Sequence, residues 1–339
     1  MAEKINSRTY RFTRDIFINS YATVTGPKEY AGPIGAHFDY HFPDNLNGEA
    51  SWEKSEQKLQ SYALELALAK GNLEAEDLDF FLGGDLLNQI IATSFTARGL
   101  NAPFLGLYGA CSTLCEGLFL AAALLDNHIG AHIAVNASSH HDSVERQLRY
   151  PTEMGVQRLM SAQWTATAAG SYILSPKPSP WQITAAVPGR VVDWGIADNN
   201  DLGSAMAPAA CDTIAAFLKD NQDSPLPDLI ISGDLGVLGS KICAKLLLNQ
   251  GYDIEKIYAD CGCLLYDPAQ DTHSGGSGAG CSAAVLGAYI LPKIKAGELN
   301  KVLVVATGAL LSPTSTQQGE TIPSIAHGIL IERNSSESR

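Results

Sequence analysis

The chain has 339 residues, of which 45% are hydrophobic and only 17% charged, against about 25% charged in an ordinary globular protein. That composition describes a compact globule with a large core and excludes a disordered or fibrous chain. Lys and Arg total 23 and Asp and Glu 36, a net charge of −13, which excludes general attraction to nucleic acid or anionic lipid and opposes any anionic ligand at long range.

In chain order, Asp15–Ala22 is a strand candidate. Residues 51–70 are a helix candidate, because Leu59, Tyr62, Ala63, Leu66 and Ala69 recur at three- and four-residue steps. Ser51 suits its N-cap and Gly71 its left-handed C-terminal cap. A buried strand over Leu78–Leu82 closes in Gly83-Gly84-Asp85. Another apolar strand, Pro103–Tyr108, turns at Gly109 into an Ala- and Leu-rich helix over Ser112–Leu125. A third strand, Ile129–Ala137, runs into Ser138-Ser139-His140-His141.

The second half repeats this order. Asp79-Phe-Phe-Leu-Gly-Gly-Asp85 matches Asp228-Leu-Ile-Ile-Ser-Gly-Asp234. Gly109-Ala-Cys111-Ser112 before an apolar helix is echoed by Gly278-Ala-Gly-Cys281-Ser282. The proline-rich stretch Ser175–Pro180 is the natural seam, so residues 1–175 and 181–339 read as two copies of a strand–helix–strand unit. The loops at 26–48 and 146–163 are long enough to carry function.

Residues 1–14 are polar and no apolar signal segment follows them, so the seven cysteines are expected as thiols in a reducing compartment. The longest apolar run, Leu118–Leu125, has eight residues, short of the ~20 that cross a bilayer. Cys261 and Cys263 have no second pair at ligand spacing, which argues against zinc. Cys111 is the most informative residue: a thiol at a tight turn opening a helix meets free N–H groups and the positive helix end, so a lowered pKa is expected. The same helix start, with Ser112 and Thr113, suits an anion.

Gly-Ala-Cys111-Ser before a helix, the two similar halves and the late Gly278-Ala-Gly-Cys281-Ser-Ala together resemble the thiolase and ketoacyl synthase superfamily. Longer strings resemble its dipicolinate-binding branch in spore-forming bacteria: FFLGGDLLNQI with Asn88, YGACST, RYPTE from Arg149, AQWT, GRVVDWGI, ISGDLG, SGAGCSAAV, VATGALLSP and IAHGILIE. The resemblance implies a thiolase-like α/β fold, duplicated βαβαβ halves with helices between two mixed sheets, and a homodimer. Condensing enzymes activate the cysteine with two His, or a His and an Asn, from the second half. The matching loops here read Ser232-Gly233-Asp234 and Gly276-Ser277-Gly278, without either residue. His273 and His327 are the remaining second-half histidines.

The resemblance therefore implies a binding protein for dipicolinic acid (pyridine-2,6-dicarboxylate, carried as its calcium salt) with Cys111 as a vestigial nucleophile. It further implies docking on integral membrane subunits of a spore channel assembly, on the cytoplasmic side of the inner membrane, in uptake during sporulation and release in germination. A flat dianion needs two anion sites and an apolar wall. Cys111, Ser112, Thr113, Asn88, His140, Arg149, Asp234, Ser277 and His327 are the expected ligand residues, with no resident metal or other cofactor. Of the adjacent pair His140-His141 on a strand, one is expected to face the pocket. Asp85 and Asp234 read as duplicated structural caps, and Arg190 as a surface ion-pair residue. The competing expectation is an acyl-transfer or condensing enzyme acting on acyl-CoA or acyl carrier protein through Cys111.

Overall fold

A computed structural model describes residues 2–334. Its strands β1 (Phe17–Thr25), β2 (Phe80–Gly84), β3 (Phe104–Gly106), β4 (Ile133–Ser139) and β5 (Ala168–Ser175) lie side by side in the order β1-β5-β4-β2-β3. Strands β6 (Trp181–Val187), β7 (Leu229–Ser232), β8 (Tyr258–Asp260), β9 (Lys301–Ala309) and β10 (Ser324–Arg333) repeat that order as β6-β10-β9-β7-β8. Within each set the last three strands are parallel and the first two pairings antiparallel. The sets meet at one pairing, Gln182 with Phe17, and three short strands extend the whole to thirteen. The duplicated mixed α/β architecture is therefore present, with its two sheets joined edge to edge.

The main helices are α1 (Trp52–Gly71), α2 (Ile91–Arg98), α3 (Thr113–Asp126), α4 (His141–Leu148), α5 (Leu202–Asp220), α6 (Gly236–Asn249) and α7 (Ala279–Val285). Helix α3 packs on β2 and β4 of the first set and on β9 and β10 of the second. Its Leu114, Cys115, Leu118, Ala121, Ala122 and Leu125 are all buried, as an apolar helix between two sheets must be. Helix α7 packs on β4 and β5 and touches α3, which completes the middle layer.

The strand boundaries move for identifiable reasons. The expected strand at 129–137 begins four residues later, because Asp79 accepts the N–H groups of Ala131 (2.6 Å) and His132 (2.9 Å) and holds a turn there. Asp228 does the same in the second half, accepting from Asn300 at 2.6 Å and Lys301 at 3.0 Å. Ser51 is the N-cap of α1, accepting from Lys54 N–H at 3.3 Å. The left-handed cap falls on Asn72 (φ 52°) and not on Gly71, which is the last helical residue. His140 and His141 are not on a strand: β4 ends at Ser139, His140 caps α4 and His141 is its first residue.

Candidate active-site cavity at Cys111

The cysteine elbow is built from its own backbone. Ala110 sits at φ 51°, a left-handed conformation that an alanine adopts only under constraint, and one short turn over Ala110–Ser112 leads into α3. The Ser112 hydroxyl donates to the Gly109 carbonyl at 2.6 Å and the Thr113 hydroxyl to the Ala110 carbonyl at 2.7 Å. Both expected ligand hydroxyls therefore tighten the turn and do not line the cavity.

The two second-half loops do reach Cys111. Its thiol meets the Asp234 carboxyl and the Gly278 N–H. Asp234 Oδ2 accepts from Gly278 N–H at 2.9 Å and from the Ser277 hydroxyl at 3.2 Å, and Oδ1 accepts from the Thr307 hydroxyl. Gly278 has φ 102°, and a Cβ there would stand 2.5 Å from Ser139 Oγ, so only glycine closes this loop. Gln163 fixes both loops at once, donating to the Asp234 carbonyl (2.6 Å) and the Gly276 carbonyl (2.8 Å).

These contacts reverse the expected electrostatics. Burial pushes the Cys111 thiol well above its ordinary value, and the Asp234 carboxylate pushes it further. Cys111 is only 6% exposed, so the field of the helix end is outweighed. Burial also raises Asp234 above the usual carboxylate range. The arrangement is a protonated thiol beside a carboxyl, not a thiolate beside a base.

Cys111 opens on a cavity of about 430 Å3. Leu86, Leu87, Ile90, Leu148, Leu202 and Leu311 form its apolar walls, so both halves contribute. Ser277 and Arg149 are the two other expected residues that line it. Arg149 is paired with Glu145 one helical turn earlier at 2.5 Å, and its Nε donates to the Asn199 carbonyl at 2.9 Å. Ile90 stands at φ 46°, a strained conformation for a β-branched residue, and the preceding Gln89 is also left-handed.

Other expected residues lie elsewhere. Asn88 does not line the cavity; its side chain is exposed and its N–H donates to Gln147 Oε1 at 2.8 Å. His140 is wholly buried with Nε2 2.7 Å from the Asn45 carbonyl, and does not face the cavity. His327 accepts the Gly189 N–H on Nδ1 at 3.1 Å, and burial lowers its pKa to about 4. His273 pairs with Asp271 at 3.1 Å. Neither histidine lines the Cys111 cavity. Arg190 is the surface ion-pair residue expected, bonded to Asp212 at 2.7 Å.

Asp85 and Asp234 are not equivalent caps. Asp85 binds its own following segment, accepting from Leu87 N–H (2.8 Å) and from Thr93 N–H (2.8 Å), and it also lines the cavity. In the second half that duty belongs to Asp260, which accepts from Leu235 and Gly236 N–H at 2.9 Å each. Burial raises Asp260 to about 7. Sequence reading passes over Asp260, and it quotes Gln163 and residues 309–313 only inside the strings AQWT and VATGALLSP, without a role. Glu145 was detectable, lying four residues before Arg149.

Among the described residues no group of three or more His, Cys, Asp or Glu is placed to hold a metal ion, and no helix is long and apolar enough to cross a membrane. In comparisons with solved structures, 3-oxoacyl-[acyl-carrier-protein] synthase III from Aquifex aeolicus VF5 superimposes with a TM-score of 0.56 at 12% identity, covering 94% of this chain and 99% of that one. OleA from Xanthomonas campestris with bound lauric acid and lauroyl-CoA gives 0.59 at 13% identity, covering 94% and 99%. These likenesses establish the thiolase-like condensing-enzyme fold. Stage V sporulation protein AD of Bacillus subtilis (strain 168) is 46% identical over 327 residues, 96% of this chain and 97% of that protein. The family model for stage V sporulation protein AD matches residues 6–332, and the chain belongs to that family.

Proposed function

We propose that this chain binds dipicolinic acid in the Cys111 cavity without transforming it, and delivers it to integral membrane subunits during sporulation and germination. The observation that carries the reading is the Cys111–Asp234 pair. Acyl transfer needs a thiolate, donors for the thioester oxyanion and a base for the carbanion. The two loops that face the thiol supply a carboxyl, a hydroxyl and a backbone N–H, with no imidazole or side-chain amide. A cavity kept without its chemistry is a binding site.

Its lining suits a flat anion with an apolar face. Leucines form the walls and Arg149 stands among them as a guanidinium. Burial raises Asp85, which lines the cavity, and so lessens its repulsion of a carboxylate. Calcium enters as cargo with the ligand, neutralising the dianion against the net charge of −13. The protein acts as a homodimer docked peripherally on the cytoplasmic side of the spore inner membrane. Calorimetry with dipicolinate, with and without calcium, tests the reading: saturable binding is expected, and its absence in both overturns it.

A second reading, acyl transfer, is favoured by the apolar cavity walls and by the likeness to OleA with bound lauroyl-CoA. Incubation with lauroyl-CoA and intact-mass measurement separates the two. An acyl adduct on Cys111 that turns over favours transfer; an unmodified protein favours binding alone.

A further inference from the structure

A second cavity of about 190 Å3 adjoins the first, and the Arg149 side chain lines both. Its wall is aromatic and cationic. The His141 imidazole lies flat on the Trp164 indole, ring centres 3.6 Å apart, and the Arg158 guanidinium stands over the same indole at 4.8 Å. Lys28 lies 3.9 Å from the indole centre, its ammonium donating to the Gln270 carbonyl at 2.7 Å.

The charges around this cavity do not balance. Arg149 is paired with Glu145, and Arg158 with Asp271, whose side chain is 79% exposed. A further neighbouring carboxyl, Glu29, is buried and pushed up toward its neutral form. Among the lining side chains themselves, two guanidinium cations, Arg149 and Arg158, stand with one carboxylate, Glu145, in a chain whose net charge is −13. Crowding by Arg158 adds to burial in lowering Lys28.

Two polar atoms here are left without partners. Arg158 Nη1 and His141 Nδ1 are buried and make no hydrogen bond among the described residues. His141 is 3% exposed and lines the cavity. Arg158 Nη1 is a cationic donor, and a buried cationic donor without an acceptor is costly, which points to an acceptor beside it in the cavity.

We propose that this cavity is a distinct binding site for a compact oxyanion, a carboxylate or a phosphate, which accepts from Arg158 Nη1 and a His141 ring N–H and rests against Trp164. The shared Arg149 makes it a vestibule to the Cys111 cavity. The site stands whether or not dipicolinate occupies its larger neighbour.

The test is a fluorescence titration of the full chain with inorganic phosphate in one arm and benzoate in the other. A saturable change in tryptophan emission is expected in at least one arm and is lost in Trp164→Phe. Saturation by phosphate alone marks a phosphate-bearing ligand, and by benzoate alone a carboxylate. Arg158→Gln and His141→Phe, the second of which keeps the ring stack, each weaken binding tenfold or more with an unchanged circular dichroism spectrum. Leu311→Phe, which narrows only the Cys111 cavity, leaves the titration as in the wild type. No saturable change in either arm, wild-type affinity in both Arg158→Gln and His141→Phe, or loss in Leu311→Phe alone overturns the proposal.

Discussion

Replacing Asp234 with Asn asks directly why Cys111 is not a thiolate. Burial is the first cause of its raised pKa, and the charge and hydrogen bond of Asp234 come next. Asn keeps one acceptor oxygen, for the Gly278 N–H, turns its amide NH2 toward the Thr307 hydroxyl, which can accept, and removes the charge. A hydrogen bond to a charged partner is worth about 1.5–3 kcal/mol. At about 1.4 kcal/mol per factor of ten, losing that partner moves the thiol down toward its ordinary value and raises the thiolate fraction about ten- to hundredfold. The thiol stays above its ordinary value, because burial is untouched. At a fixed pH below the midpoint, alkylation of Cys111 by iodoacetamide then speeds up about ten- to hundredfold. The assay is the pH dependence of alkylation, read by peptide mass so that the exposed Cys263 is counted separately. A thermal melt confirms the fold. An unchanged midpoint at Cys111 in a folded Asp234→Asn variant refutes the reasoning.

Arg149→Ala is expected to weaken dipicolinate binding by about 2–3 kcal/mol, since it removes the guanidinium from the wall and breaks its ion pair with Glu145; unchanged affinity by calorimetry removes Arg149 from the site. Cys111→Ala is expected to change that affinity by less than tenfold, about 1.4 kcal/mol, because the thiol is turned to Asp234; complete loss of binding means the sulfur fills a required position. Glu56 is wholly buried between the Ser138 and Ser143 hydroxyls, and burial, then Asp85, raises it from 4.5 to about 8. The folded state therefore holds a proton that the unfolded chain releases between these values, so this contribution to stability is complete below 4.5 and is lost as the pH rises toward 8. Glu56→Gln is expected to flatten urea-denaturation stability across that window, and an identical slope in the variant refutes the assignment.

The duplicated unit was legible because its signal is local. Asp79 and Asp228 open matching strings, and each ties down the turn before the parallel strand beside its own. The second acid of each string was legible in position but not in role. Asp85 turns to its own segment, whereas Asp234 turns to a loop more than forty residues away. No pattern near residue 234 announces that partner, and none near residue 111 announces the carboxyl that reverses its titration. Because β4 stops at Ser139, His140 is a buried helix cap and not a pocket-facing strand residue. Arg149 and Ser277 were legible as motif residues, while Leu311 and Ser312 line the cavity only because β9 delivers its following loop there.

The cavity walls at Cys111 come from both strand sets, which share a single pairing between Gln182 and Phe17. A ligand that fills the cavity is then a non-covalent crosslink between the two strand sets. Its binding free energy becomes cohesion, raising resistance to unfolding by RT ln(1 + [L]/Kd), about 2.7 kcal/mol at a hundredfold excess over Kd. Cargo held at high concentration would in this way preserve its own carrier, and the carrier would be most easily melted or cleaved after the cargo has gone.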